Sequence, residues 1–277
     1  MGRRERAKRA EEGRSDGGGP PPAARRGPRK GDAILWAIAV LVLGISVGLL
    51  LLGRGGDDSP AGLRTAAIVD QLSLTQPNAS FIDSARNTLE QGGYAVDYYP
   101  GEQVTVEFYR ELPRRGYDLI LLRVHSARAK RDGTITGDLM LFTGEPYSDA
   151  KYVEEQRARR LGIARYYEGG DPLFGILPDF VADSMEGRFD GTLILAMGCD
   201  GLRSLPTAQT FLDKGASAFV SWSRPVSASH TDAATERLLE KLLLEGLTTV
   251  DAVSQTAAAV GPDPFYGAEL RVMIDEG

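Results

Sequence analysis

Two side chains in this sequence carry nucleophilic and acid/base chemistry, and they stand in matching places. Cys199 is the single cysteine and His125 one of two histidines. Cys199 follows the apolar run Thr192-Leu193-Ile194-Leu195-Ala196-Met197 and sits in Gly198-Cys199-Asp200-Gly201. An apolar strand that runs into a glycine turn delivers its next side chain to the rim of a sheet. Asp118-Leu119-Ile120-Leu121-Leu122-Arg123-Val124 ends in the same way and delivers His125. A thiol and an imidazole at the exits of two buried strands fit a nucleophile and its general acid/base. A free cysteine is otherwise most often a small buried hydrophobe; the matching position of His125 is the ground for expecting chemistry instead.

Other candidates flank this pair. Asp70 ends the run Thr65-Ala66-Ala67-Ile68-Val69 and shares the same edge, where it could orient His125, bind a basic substrate side chain or begin a turn. Trp222, at the end of Ala216–Trp222, is either a pocket wall or core. His230 is a rival base, or an exposed residue at a helix start with Asp232 in the first turn. Arg224 could pair an acidic substrate group, or be an ordinary surface charge. Two histidines and one cysteine at unrelated spacings give no zinc pattern, and no metal is expected. No GxGxxG or P-loop motif is present, so no cofactor is expected; Gly44-Ile45-Ser46-Val47-Gly48 has the GxSxG spacing but lies inside the apolar run 33–52, so no serine sits in a nucleophile elbow.

The elements that must position these residues alternate. Strands are predicted at Thr65–Val69, Tyr94–Tyr98, Leu119–Val124, Thr192–Met197, Ala216–Trp222 and Leu270–Ile274. Helices are predicted at Ser80–Gln91 with Ser80 as N-cap, Val104–Leu112, Pro206–Lys214, Thr231–Glu245 and Thr249–Val260. Near-continuous apolar strands between helices imply an α/β fold: a three-layer α-β-α sandwich around a mostly parallel sheet of about six strands. Reactive groups in such sheets gather at the strands' carboxyl ends. Residues 128–191 break the pattern, with a hairpin predicted over Thr134–Phe142, a charged helical stretch at Tyr152–Arg160 and an apolar loop at Pro172–Pro178. This insertion is expected to form a substrate wall or lid.

Charge divides the chain. Residues 1–30 carry ten Lys/Arg against four Asp/Glu, a net of +6, so within a total of −6 the remainder is −12. An acidic body speaks against nucleic-acid binding. Ala33–Leu52 is twenty residues without a charge, enough for a helix of about 30 Å, the thickness of a bilayer core. The expected organisation is a disordered basic tail (1–31), a transmembrane anchor (32–53), a linker (54–63) and one domain (64–277). Lys/Arg before the span, against Asp57 and Asp58 after it, place the N-terminus in the cytoplasm and the domain outside, in a single-pass, uncleaved signal-anchor topology. Gly44 and Gly48 form a GxxxG pair that could support a homodimer through the membrane helix. Asn78-Ala79-Ser80 is a glycosylation sequon on the outer side.

Taken together, Leu121-Leu122-Arg123-Val124-His125-Ser126, Ile194-Leu195-Ala196-Met197-Gly198-Cys199-Asp200-Gly201, Ala208–Val220 and Ser221-Trp222 resemble the caspase-like fold of clan CD cysteine peptidases. Ala208–Val220 is similar to the helix and following strand of CHAT- and gingipain-like members, and the RVHS, FGILP and MGCDGL segments look like prokaryotic membrane-anchored ones. The resemblance covers most of residues 64–277. It implies a cysteine endopeptidase in which Cys199 attacks the peptide carbonyl and His125 protonates the leaving amine. The backbone amides of Cys199 and Ser126 would form the oxyanion hole, each donor contributing about 3 kcal/mol. Ser126 stands where the family commonly has glycine, and Asp200 sets a carboxylate beside the nucleophile. These two departures are the ground for the alternative expectation, a catalytically silent caspase-fold module that binds a peptide or a cell-surface partner.

Overall fold

The computed structural model describes residues 63–203 and 205–274. Its centre is a six-stranded sheet made of the six predicted apolar runs: β1 (Arg64–Asp70), β2 (Tyr94–Pro100), β3 (Leu119–Arg123), β8 (Leu193–Ala196), β9 (Ala218–Trp222) and β10 (Leu270–Ile274). Their order is β10-β9-β8-β3-β1-β2. All neighbours are parallel except β10, which returns antiparallel along β9.

The period-2 geometry of a strand sends alternate side chains to opposite faces. Ile68, Leu121, Leu195 and Val220 enter one buried cluster, with Phe81, Ala85 and Leu89 of α1 (Ala79–Gln91). That cluster also takes Ala234 and Leu238 of α6 (Ala228–Leu239) and Ala252 and Val253 of α7 (Thr249–Val260). Val69, Leu122, Ile194 and Phe219 face the other way. They meet Phe108 and Tyr109 of α2 (Val106–Glu111), Phe180 of α4 (Pro178–Asp183) and Phe211 of α5 (Leu205–Asp213). Each fully buried Leu, Ile or Phe contributes about 1.5–3 kcal/mol of transfer free energy.

This second face holds more than helices. Residues 126–176 build an antiparallel sheet of β4 (Ser126–Arg131), β5 (Thr134–Pro146), β6 (Leu161–Ala164) and β7 (Leu173–Ile176), in the order β4-β5-β7-β6. Short α3 (Val153–Arg157) precedes β6. The hairpin predicted within Thr134–Phe142 is in fact β4 and β5 around a turn at Asp132 and Gly133, both with positive φ. The apolar loop predicted at Pro172–Pro178 is the interior strand β7, paired on both edges. Leu139, Leu141, Phe174 and Ile176 from this sheet join the main core.

Helix ends differ from expectation by a turn or less, save at α6. The first helix is capped by Asn78, not Ser80: Asn78 Oδ1 accepts from Phe81 N (3.2 Å). The sequon asparagine is thus a structural cap, and its amide also donates to Asp232 (2.9 Å). The long helix expected to begin at Thr231 starts at Ala228 and widens after Leu239 into a π-type turn over Glu240–Leu244. The apolar run 33–52, with the tail, linker and GxxxG pair, lies outside the described residues. Among the described ones, no helix is long and apolar enough to cross a membrane.

Candidate active site

β3 and β8 are neighbours, and their register decides where the two reactive residues meet. It pairs Leu119 with Leu193 and Leu122 with Ala196, and Met197 N still donates to Leu122 O (2.9 Å). Carried past the strand ends, the same register sets His125 opposite Cys199. Both line one cavity of about 80 Å³, with Leu72, Gln76, Met197 and Val226 around them. That is room for roughly two or three waters.

The turn that presents the thiol is tightly specified. A Cβ at position 198 would collide with Ser126 Oγ and Val124 O, so only glycine lets the two strand ends approach this closely. Asp200 follows at φ 62°, the left-handed region that L-residues rarely occupy. Its N–H donates to Arg224 O (3.0 Å), and its carboxylate lies 3.3 Å from Arg203. Ser126 Oγ donates to Cys199 O (2.6 Å), tying the turn to the start of β4. From below, Trp222 Nε1 donates to Thr231 Oγ1 (2.9 Å), which donates to Met197 O (3.1 Å).

His125 is held at three points. Its N–H donates to Gln71 Oε1 (2.9 Å), its Nε2 lies 2.7 Å from Thr75 Oγ1, and its ring stands 5.1 Å from that of Tyr166. With Nε2 engaged by Thr75, Nδ1 is the nitrogen left for proton transfer. Burial, followed by the nearby Arg123 guanidinium, pushes the imidazole below its ordinary value of 6.5. Cys199 is half-buried. Its sulfur accepts from Val226 N (3.5 Å), and the thiol donates to Val226 O (3.7 Å). Burial pushes the thiol above its ordinary 9.0; the Val226 amide works against this, and the Asp200 and Asp263 carboxylates add to it. At neutral pH the pair is therefore an uncharged thiol and an uncharged imidazole.

The backbone amide of Ser126 lies outside the β4–β5 hydrogen-bond ladder. Ser126 pairs with Leu141, and Phe142 N donates to His125 O (2.9 Å) beside that pair. This is the non-hydrogen-bonded type of antiparallel pair, in which the N–H of Ser126 faces away from β5. The Ser126 hydroxyl adds the tie to Cys199.

Three candidates have other occupations. Asp70 reaches the expected edge but is 1% exposed, accepting from Arg123 Nη1 (2.7 Å) and Tyr98 OH (3.1 Å), which leaves it no capacity for a substrate cation. Trp222 is 0% exposed in the core and does not line the cavity of His125 and Cys199. His230 stacks on Trp222 (5.2 Å) with Nε2 3.2 Å from Gly261 O, and it does not line the dyad cavity.

Arg123 carries structure that the sequence pattern understated. It is 1% exposed, forks onto both oxygens of Asp232 (2.7 and 2.8 Å), bonds Asp70 and donates to Gln76 O (3.0 Å). One guanidinium thus joins β3, β1, α6 and the loop beside His125. The signal was an arginine inside an otherwise apolar run, which must be paired if buried. Gln71 and Thr75 had no such signal, because their roles depend on a 3₁₀ turn after β1. Among the described residues, no group of three or more His, Cys, Asp or Glu is placed to hold a metal ion.

Compared with known proteins, the chain matches no family model and no curated protein.

Proposed function

We propose that this chain is a membrane-anchored, caspase-like cysteine endopeptidase whose domain lies outside the cytoplasm. One observation carries the reading: the β3–β8 register brings His125 and Cys199 to one cavity at the carboxyl ends of parallel strands. The off-ladder amide of Ser126 supports it. Residues 33–52 serve as the single-pass anchor, with Gly44 and Gly48 available for pairing of two copies, and the substrate is a peptide or protein.

The uncharged dyad dictates the sequence of steps. The Cys199 thiol turns from Val226 O, and its sulfur attacks the peptide carbonyl carbon while its proton passes to His125 Nδ1. The oxyanion that forms accepts from the amides of Ser126 and Cys199. His125 then gives that proton to the leaving nitrogen as the C–N bond breaks, leaving an acyl thioester on Cys199. Water attacks the thioester, its proton goes to His125, and the new carboxylic acid leaves as the proton returns to sulfur.

The test is hydrolysis of a broad peptide library by the full-length chain in non-ionic detergent, compared with Cys199→Ala and His125→Ala. Cleavage by the parent and none above background by either variant is expected. No cleavage of any member overturns the reading. The second reading, a peptide-binding module without turnover, is favoured by the two bonds between Cys199 and the Val226 backbone; it predicts saturable peptide binding with no product.

A further inference from the structure

The outer face of the antiparallel sheet carries two adjoining hollows of about 300 and 340 Å³, each larger than the dyad cavity. They share Ala129, Lys130, Gly162 and Leu177 and so form one groove. Its floor is apolar. Met140 lies there because Gly162 and Gly175 have no side chains; a Cβ on either would meet the Met140 sulfur. Phe142 continues this floor toward the dyad, its ring centre 5.9 Å from that of His125.

The rim is cationic. The 340 Å³ hollow is lined by Arg128, Lys130 and Arg165 and by no carboxylate. The adjoining hollow adds Arg131 and Arg159, with Asp132 and Asp138 offsetting them. Such a concentration stands out on a body whose net charge is −12. Arg128 is also incompletely paired: its Nε is sealed from solvent without a hydrogen-bond partner, and its Nη2 reaches only Thr136 O at 3.4 Å. A buried N–H without an acceptor is destabilising, so Arg128 is held at the groove without full pairing. β4 leaves directly from His125, so the groove begins beside the dyad.

We infer that the groove takes an acidic segment of the substrate, with an apolar side chain beside its carboxylates, flanking the bond that Cys199 attacks. The inference rests on the peptidase reading of the dyad. The apolar floor suits a peptide side chain, and the carboxylate-free rim of the deeper hollow suits Asp or Glu.

Binding tests it without requiring turnover. Full-length Cys199→Ala in non-ionic detergent is titrated, by fluorescence anisotropy, with peptides that share one core and carry either Glu/Leu or Lys/Leu flanks. The acidic peptide should bind about tenfold tighter at low salt, the difference shrinking at high ionic strength as the rim is screened. Lys130 and Arg165 are exposed, so Lys130→Glu with Arg165→Glu should fold and should invert the ranking. Equal affinities overturn the inference. So does a preference that survives the double reversal, which places the acid-binding charge in the basic tail 1–30. Stronger competition by an oligonucleotide than by the acidic peptide overturns it as well. Acidic preference without any hydrolysis by the parent removes the peptidase reading and leaves the groove; hydrolysis without acidic preference does the reverse.

Discussion

At neutral pH the proton sits on Cys199 and His125 is free to receive it. Both shifts follow from burial, which disfavours the charged form of either group. In the proposed mechanism the active form is the uncharged pair, bounded by protonation of His125 on the acid side and ionisation of Cys199 on the alkaline side. The plot of kcat/KM against pH should be flat through neutrality, with its acid limb below 6.5 and its alkaline limb above 9.0. An acid limb at or above 6.5 contradicts the assignment of His125. Thr75 is a positioning residue, since it touches Nε2 and not the thiol. Thr75→Val should lower kcat about tenfold, the worth of one net hydrogen bond, with KM little changed; Thr75→Ser should restore it. A change in KM alone would mean that Thr75 binds substrate.

At the scale of elements, two strand ends and one arginine hold the site. Arg123→Met leaves the Asp70 and Asp232 carboxylates buried without their cation, and should cost about 3–5 kcal/mol in denaturant unfolding. A loss under 1 kcal/mol would show that water reaches the cluster. Gly198→Ala forces Ser126 away from the turn and should reduce peptide cleavage and alkylation of Cys199 together, which kinetics with a thiol reagent would report. β1, β3, β8 and β9 were legible as buried apolar runs, and β2 and β10 as shorter apolar runs at the sheet's edges. The shared location of His125 and Cys199 was legible because both follow such runs. The antiparallel sheet was not: Ser126-Ala127-Arg128-Ala129-Lys130-Arg131 has no apolar alternation, and β7 is four residues between prolines. Its pairing comes from tertiary contacts that no local pattern carries. Asp70 and Trp222 were placed at the correct edge, but only the structure shows that one is tied to Arg123 and the other buried. Strand position fixes where a side chain starts; its partners decide whether it stays free.

At the scale of the whole molecule, burial of the dyad links activity to stability. The folded state resists protonating His125, while the unfolded chain accepts the proton near 6.5. The unfolded state therefore binds more protons below that value, and stability falls as pH drops from 6.5 toward the lowered folded value. It is fully present above 6.5. Thermal unfolding should show this slope for the parent and a flatter one for His125→Gln; equal slopes would place the titration elsewhere. The layout also gives the second sheet a purpose. Its inner face completes the core, its outer face carries the cationic groove, and its first strand begins next to His125. The most direct measurement of the central claim is intact-mass spectrometry of the full-length chain, acid-quenched during turnover of a cleaved peptide. The account predicts a mass gain equal to the acyl portion of the peptide, mapped to Cys199 and absent from Cys199→Ala. Peptide cleavage that proceeds undiminished in Cys199→Ala, with no acyl adduct on the parent, would contradict it.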